Sequence, residues 1–415
     1  MRVLRGKRAE AEVRALEQRG ATSLARVEKQ VSRIVADVRK NGDTALRRYA
    51  EKWDGLNPGQ ALRADDAELE AAWNSVSENF RQALQTAAAN IRQYCEWQMP
   101  QPWRNSVGPG IQVGQVVRPL ESSGCYVPGG RYPLPSTMLM TVIPAQVAGV
   151  QQIRVVSPRP AVETLATASF LGVSEFYRIG GAQAIAALAY GTPSVPRVDK
   201  IVGPGNLFVT AAKKRVAFDC GIDFLAGPTE VVIVSERGEA RFIAADLVAQ
   251  AEHDPDALAV FITSTEQLAE SVAREIKNAA ATNETAKTSL KKNGLILVAE
   301  SHGQALDFAN RIAAEHITVN EEDVPQVRNA GSIFAGDYSP QAAGDYAAGP
   351  NHVLPTGGAA RFRGGLSVHD FVKTISVQQL SRDGLDRIGA AVITLAEAEG
   401  LKAHAESIRV RSANA

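Results

Sequence analysis

The chain has 415 residues, of which 45% are hydrophobic and 22% charged, close to the averages for globular proteins. This composition excludes a disordered, collagenous or disulfide-scaffold protein, and the length predicts about two or three domains. The 45 basic and 45 acidic side chains give a net charge of zero. Nucleic-acid and membrane-surface binders usually carry a basic excess, so we expect neither kind of partner.

The cysteines and the N-terminus favour a cytoplasmic protein. The three cysteines have no CxxC spacing, which fits a reducing compartment without a disulfide framework. The first eight residues turn charged at once and lack the apolar core of a signal peptide. The least polar stretch, 137–150, is too short to span a bilayer.

The first hundred residues are predicted to be helical. Apolar residues at helical spacing predict a helix over 24–40, which Asn41, Gly42 and Asp43 end before the next short helix. A second long helix is predicted over 67–97. Together these form a helical arm.

From about residue 110, short β-branched runs alternate with helical patterns. Such alternation predicts βαβ units and parallel sheets, in two blocks on either side of Gly227 and Pro228. After 366 we expect a loop, a helix over 384–399 and a short basic tail. The predicted strands cover 153–156, 231–234, 258–262 and 295–298, and the predicted helices cover 161–171, 182–190, 207–218, 241–250, 266–281 and 303–314.

Four segments rich in Gly and Pro lie where strands are predicted to pass into helices. Ligands of open α/β sheets bind at the carboxyl ends of strands, and helix N-termini there favour anions. Tight turns alone would explain any single segment, but four in one stretch favour a ligand site. No segment is a GxGxxG fingerprint, so a standard Rossmann dinucleotide site is not indicated. The segments are 124–130, 180–183, 203–206 and 226–230.

Two pairs of polar residues are candidates for chemistry. Gln250 and His253 are three apart and share a helix face, where a metal could bind. A structural histidine is the alternative, and glutamine is not a usual zinc ligand. Glu315 and His316 precede a strand-like run and could supply two general bases.

Cys125 could be a thiolate nucleophile, although its surroundings show no base partner.

Taken together, the motifs resemble the histidinol dehydrogenase family along nearly the whole chain. Their order and spacing carry the resemblance, since a shared fold alone would not reproduce so many short motifs. The segments concerned are 124–130, 180–192, 202–206, 226–230, 250–253, 315–316, 351–356 and 366–371.

The resemblance implies oxidation of L-histidinol to L-histidine, the last two steps of histidine biosynthesis. Two NAD molecules would each receive a hydride through a bound aldehyde, with one zinc ion (Zn2+) per site. The matching zinc ligands are Gln250, His253, Asp345 and His404. In the family the tail histidine crosses to the other subunit, which implies a homodimer with shared tail residues.

The same resemblance implies the remaining roles. His316 would take the alcohol proton and Glu315 would activate the water that hydrates the aldehyde. Thr229 and Glu399 match substrate contacts, with His369 close by. The zinc ligands and His316 also bind substrate in the family. The matching NAD contacts are Tyr126, Gln183 and Asn206.

Three positions depart from the family pattern. Thr229 stands in place of Ser, Ala314 in place of Pro, and Ile317-Thr318 in place of Leu-Glu. They leave open a related zinc and NAD dehydrogenase of another small polar alcohol, such as a sulfonated diol. A non-catalytic dimer with a structural metal is a third possibility, but it would not need the Glu315-His316 pair.

The expected architecture is an α/β fold with two Rossmann-like parallel-sheet domains, a helical N-terminal arm and a C-terminal dimerising tail. Residues 1–118 with 229–365 would form the zinc and substrate domain. Residues 119–228 would be an inserted cofactor domain, and 366–415 the dimerisation tail.

Overall fold

A computed structural model describes residues 1–19, 24–129 and 133–412. Contacts divide the chain into two compact units. The main unit comprises Met1–Gln98 and Glu121–Phe371, and the second unit comprises Met99–Leu120 and Val372–Ala415. The predicted domain boundaries at 118, 228 and 365 stay a prediction.

The elements are numbered along the chain. The strands are β1 (Arg2–Arg5), β2 (Arg63–Ala64), β3 (Trp103–Gly108), β4 (Ile111–Pro119), β5 (Ser122–Tyr126), β6 (Gln152–Val156), β7 (Glu175–Tyr177), β8 (Lys200–Val202), β9 (Gly221–Ile222), β10 (Glu230–Val234), β11 (Leu258–Thr263), β12 (Gly294–Val298), β13 (His316–Val319), β14 (Ser332–Ala335) and β15 (Val372–Leu380). The helices are α1 (Gly6–Glu17), α2 (Ala25–Tyr49), α3 (Asp66–Ser75), α4 (Glu78–Gln98), α5 (Pro135–Ala148), α6 (Val162–Phe170), α7 (Gly181–Tyr190), α8 (Leu207–Val216), α9 (Ala240–Ala251), α10 (Glu266–Ala279), α11 (Glu284–Asn293), α12 (His302–Ile312), α13 (Gln341–Tyr346), α14 (Arg382–Ala398) and α15 (Lys402–Arg409).

One sheet of the main unit, sheet A, is parallel throughout its described strands, in the order β1-β12-β11-β10-β13-β14. Helices α1 and α12 contribute to the core on one face, and α9, α10 and α11 to the core on the other. Burial on both faces explains why β10, β11 and β12 are almost continuous apolar runs. These runs made the strands predictable.

The other sheet of the main unit, sheet B, has the order β2-β7-β6-β5-β8-β9. Its described strands are parallel except for β2, which pairs antiparallel with β7. The arm helix α2 shares a core with α7 and α8 through its apolar stripe of Val27, Val31, Ile34, Val35 and Val38. The predicted α/β class with parallel sheets is therefore confirmed.

The helical arm confirms one prediction and contradicts another. Gly42 has the non-helical angles φ 50° and ψ −130°, so one helix ends at the predicted 41–43 and a second, short helix runs on to Tyr49 within α2. The predicted helix over 67–97 is two helices, α3 and α4. Val76 is extended, and the Ser77 hydroxyl accepts a hydrogen bond from the Phe80 amide as an N-cap.

The second unit contains an antiparallel sheet in the order β15-β4-β3 and the helices α14 and α15. The loop predicted after 366 is wrong from Val372 onward, where β15 begins. Most residues of β15 are exposed, so its sequence lacks the apolar run that marks a buried strand. Within the described ranges, no helix is long and apolar enough to cross a membrane.

Candidate active site

The pairing of β10 with β13 places two chain segments side by side. Val231 is paired with His316 in parallel register, so the segments that enter the two strands approach each other. Thr229 and Glu230 come from one segment, and Glu315 and His316 from the other. The site therefore lies at the amino ends of sheet A.

Hydrogen bonds hold the Glu315 carboxylate in one position. Its Oε2 accepts from the Thr229 hydroxyl at 2.5 Å and from the Glu230 amide at 2.9 Å. Only 7% of Glu315 is exposed. Burial raises the pKa of Glu315 to about 7, against the opposing attraction of His316. A carboxyl group with this pKa can exchange a proton near neutral pH.

The His316 ring is oriented from both sides. Its Nδ1 lies 3.1 Å from the Glu230 carbonyl oxygen, so Nδ1–H donates and Nε2 is the second functional nitrogen. Nε2 lies 3.4 Å from Asp345 Oδ1. Burial lowers the pKa of His316, but the carboxylates of Glu315 and Asp345 outweigh burial and raise it to about 9. The site therefore favours positive charge.

A cavity of about 450 Å³ connects these groups with other predicted residues. Gln250, His253 and Asp345 line it, as do the loops that carry Asn206 and Thr229. Of the eleven predicted site residues, seven lie at this cavity: Asn206, Thr229, Gln250, His253, Glu315, His316 and Asp345.

Two of these residues lie at or just beyond a helix end. His253 lies beyond the end of α9, although its amide donates to the Gln250 carbonyl at 3.4 Å and so adds one more turn. Asp345 lies near the end of the short helix α13. Both side chains still reach the cavity.

A second cavity of about 360 Å³ is lined by Tyr126, Gln183 and Asn206, the three predicted NAD contacts. Tyr126 ends β5, and Gln183 lies in the first turn of α7. Asn206 caps α8 by accepting from the amides of Phe208 and Val209. This cavity lies at the carboxyl ends of sheet B, where open α/β sheets bind ligands. Asn206 borders both cavities.

The other predicted positions lie elsewhere. Glu399 follows α14 and His404 lies in α15, both in the second unit, and their roles stay predictions. His369 is exposed in the single turn Val368–Phe371. Gly130, the last residue of the first Gly-rich segment, lies outside the described residues.

The structure also brings to the cavities two residues for which the sequence predicted no role. His352 lines the first cavity, with Nδ1 2.6 Å from the Asp345 carbonyl oxygen and Nε2 3.3 Å from Thr137 Oγ1. It lies within the 351–356 motif that carries the family resemblance. Asp54 lines the second cavity. No motif marked it, because its partners are more than a hundred residues away in sequence.

Cys125 is unsuited to nucleophilic catalysis. The side chain is fully buried, and burial raises the pKa of its thiol to about 12. The thiolate, which is the reactive form, is therefore scarce at neutral pH.

In the part of the chain that the structure describes, no three His, Cys, Asp or Glu side chains form a group that could hold a metal ion. The composition of the predicted ligand set accounts for this result. One predicted ligand is the amide of Gln250 and another, His404, belongs to the second unit. Of the predicted ligands in the main unit, two are His, Cys, Asp or Glu residues: His253 and Asp345.

The fold and the site define an α/β enzyme with a buried carboxyl–imidazole pair at the amino ends of sheet A and a second cavity at the carboxyl ends of sheet B. A family model described as histidinol dehydrogenase matches residues 17–412. Histidinol dehydrogenase from Methanosarcina mazei is 47% identical, with 97% of this chain and 95% of that protein covered. The enzyme of the same name from Geobacter sulfurreducens is 44% identical, with 97% of each chain covered.

A crystal structure of histidinol dehydrogenase from Elizabethkingia anophelis superposes with a TM-score of 0.94 at 33% identity. It covers 99% of this chain and 98% of that one. The chain therefore belongs to the histidinol dehydrogenase family, and it is an NAD-dependent oxidoreductase that acts on an alcohol and an aldehyde intermediate.

Proposed function

We propose that this chain oxidises L-histidinol to L-histidine through the bound aldehyde, with zinc in the site and two NAD molecules reduced in turn. The observation that carries the proposal is the Glu315–His316 pair, buried at a cavity whose wall includes Asn206. Asn206 also lines the second cavity. A hydride donor in the first cavity would therefore lie close to an acceptor in the second.

His316 takes the proton of the alcohol as the first hydride leaves. With zinc bound at Asp345, that carboxylate would no longer hold a proton on Nε2, and the neutral ring, whose Nδ1–H donates to the Glu230 carbonyl, would present the lone pair of Nε2 to the cavity. Only 3% of His316 is exposed, so bulk water competes little for this proton. The backbone of Glu230 thus selects the reactive tautomer.

Glu315 activates the water that adds to the aldehyde before the second hydride leaves. The Thr229 hydroxyl and the Glu230 amide occupy its Oε2. This arrangement leaves Oε1 as the oxygen that can accept a proton. A pKa of about 7 suits a group that must be ionised at the start of the step and protonated at its end.

The side chains of the first cavity fit a zinc ion. Thr229 donates its hydroxyl proton to Glu315, so its oxygen must accept from the Gln250 amide nitrogen. Among the residues that the structure describes, Gln250 Oε1 then has no hydrogen-bond partner, and Gln250 lines the same cavity as His253 and Asp345. When bound, zinc supplies a template that orients the amino alcohol and polarises its oxygen.

The ionisation state of Asp345 also supports a cation in the first cavity. Burial raises the pKa of Asp345, but the hydrogen bond from His316 and the nearby imidazoles of His352 and His253 hold it below its usual value. Asp345 is therefore ionised at neutral pH, as a metal ligand must be.

The proposal includes a cytoplasmic homodimer in which His404 completes the site of the partner subunit. The second unit carries large exposed apolar side chains, which in monomeric proteins are usually scattered rather than concentrated. They include Trp103, Val107, Ile375, Val377, Leu380, Leu395, Leu401 and Val410. An interface would cover such a set.

The departure at Thr318 does not favour another alcohol. Thr318 lies two residues beyond His316 on β13, and its hydroxyl accepts from Gln341 Nε2 at 2.5 Å. It lines a separate cavity of about 30 Å³ with Asp246. Thr318 therefore does not line the first cavity. The other substitution, Thr229, keeps the hydroxyl group that bonds to Glu315.

The stoichiometry of NADH tests the proposal. Protein loaded with zinc is given limiting L-histidinol and excess NAD, and NADH is counted per substrate molecule. We expect two equivalents. One equivalent would refute the hydration step and the role of Glu315. No NADH from folded, zinc-loaded protein would refute histidinol as the substrate.

A further inference from the structure

The N-terminus of α7 lies at the second cavity, where a standard dinucleotide fold would hold pyrophosphate. Here its first amides are already occupied. The Gly180 amide donates to Asp54 Oδ2 at 2.9 Å, and the Gly181 amide donates to the Tyr126 hydroxyl oxygen at 3.1 Å. With these two amides occupied, this end of the helix has fewer donors for a phosphate and suits a neutral polar group.

Asp54 also determines how the Gln183 amide is turned. Gln183 Nε2 donates to the same Oδ2 of Asp54 at 2.9 Å. That oxygen receives two N–H donors, so it is an acceptor whether or not the carboxyl group is protonated. Gln183 must therefore point its nitrogen toward Asp54 and its Oε1 away from it. Within residues 1–19, 24–129 and 133–412, Oε1 has no hydrogen-bond partner.

The neighbouring Tyr126 hydroxyl has the opposite polarity. Its oxygen accepts from Gly181, and burial raises the pKa of Tyr126, so the hydroxyl stays protonated and can donate. The donor and the acceptor both border Gly181, because a Cβ built there would lie 2.9 Å from Gln183 Oε1. Both side chains line the second cavity.

We propose that Asp54 holds Gln183 as an acceptor beside the Tyr126 donor, and that this pair recognises the amide-like edge of NAD. Such an edge places an NH₂ donor beside an acceptor, a pattern present both in adenine and in the nicotinamide carboxamide. The proposal rests on the assignment of the second cavity to NAD. Asp54 is then a positioning residue that acts through Gln183.

Binding of NAD analogues to wild-type protein tests the polarity without any mutation. The dissociation constants of three dinucleotides are measured by titration calorimetry without L-histidinol: NAD, nicotinamide hypoxanthine dinucleotide and 3-acetylpyridine adenine dinucleotide. Hypoxanthine replaces the NH₂ donor of adenine with a carbonyl acceptor, and acetylpyridine lacks the carboxamide NH₂. We expect one analogue to bind about three- to tenfold more weakly than NAD, the effect of one hydrogen bond.

The analogue that binds more weakly than NAD identifies which end of NAD contacts the Tyr126–Gln183 pair. Weaker binding of the hypoxanthine analogue means that the pair contacts adenine. Weaker binding of the acetylpyridine analogue means that it contacts the nicotinamide carboxamide. If both analogues bind as tightly as NAD, the proposal is overturned.

Variants then test the part played by Asp54. Asp54→Asn keeps an acceptor oxygen for Gly180 and Gln183, so we expect the discrimination to survive. Asp54→Leu removes the acceptor and should weaken NAD binding about three- to tenfold and abolish discrimination. Asp323→Leu is the matched control, because Asp323 is as deeply buried and lines neither cavity. Unchanged discrimination in Asp54→Leu, or equal losses in both leucine variants, would overturn the proposal.

Gln183→Leu separates this proposal from the cofactor assignment. If it weakens NAD binding while Asp54→Leu does not, the role of Asp54 is wrong and the cofactor cavity stands. If Gln183→Leu leaves NAD binding unchanged, the second cavity is not the NAD site and both proposals fall.

Discussion

At the scale of single residues, Glu315 shows how a weak acid becomes a base near neutrality. Replacing it with Gln leaves an oxygen for the Thr229 hydroxyl and the Glu230 amide but removes the proton acceptor. We expect Glu315→Gln to release one NADH per L-histidinol and to turn over fully about 10²- to 10⁴-fold more slowly. NADH yield and rate are measured together.

Thr229→Ser is the control for this prediction. It keeps the hydroxyl that donates to Glu315 and accepts from Gln250, so both its yield and its rate should stay close to those of the wild-type protein. Two equivalents of NADH at the normal rate from Glu315→Gln would show that another group activates the water.

The sequence predicted individual site residues unevenly, for a physical reason. Gln250, His253, Glu315 and His316 lie within short motifs, and their meeting at one cavity follows from the ends of neighbouring elements. The acceptor role of Gln183, by contrast, depends on Asp54, which follows α2 and is 129 positions away. No local pattern encodes a hydrogen bond over that separation.

At the scale of elements, His302 connects segments that follow different strands of sheet A. It begins α12, its Nε2 lies 2.7 Å from Asp323 Oδ1, and its Nδ1 lies 3.4 Å from Glu236 Oε1. The hydrogen bond to Asp323 outweighs burial and raises the pKa of His302. The resulting stabilisation is complete below the unfolded pKa of about 6.5 and is lost as pH rises through the higher folded pKa.

We therefore expect His302→Gln to lower the free energy of unfolding more at pH 6 than at pH 9. Because His302 is 36% exposed, the difference should be no more than about 1 kcal/mol. Urea unfolding at both pH values measures it, with His369→Gln as an exposed control. An equal loss at both pH values would mean that the histidine contributes packing rather than charge.

Elements were predictable where burial requires a run or a periodic pattern of apolar residues. Strands β10, β11 and β12 are covered on both faces and appear as apolar runs. Strand β15 is mostly exposed and β1 has only four residues, so neither produces a strong pattern. The break at Gly42 and the short helix after it were also predictable, because the glycine and its polar neighbours interrupt the apolar spacing there.

At the scale of the whole molecule, the main open prediction is that the tail of one subunit completes the site of the other. His253 lies in the main unit and His404 in the second unit. If His404 serves the partner subunit, His253→Ala and His404→Ala should each be inactive alone. In a mixed dimer, however, one site combines the intact His253 of one chain with the intact His404 of the other.

Mixing the two variants after reversible dissociation should therefore restore about a quarter of wild-type activity, because half of the dimers are mixed and each contains one complete site. Sites built within a single chain would each carry one substitution, and the mixture would stay inactive. A mixture of His404→Ala with itself, taken through the same dissociation, controls for recovery during handling. Measurable zinc in the mixture, but not in either variant, would locate the regained activity at the rebuilt site.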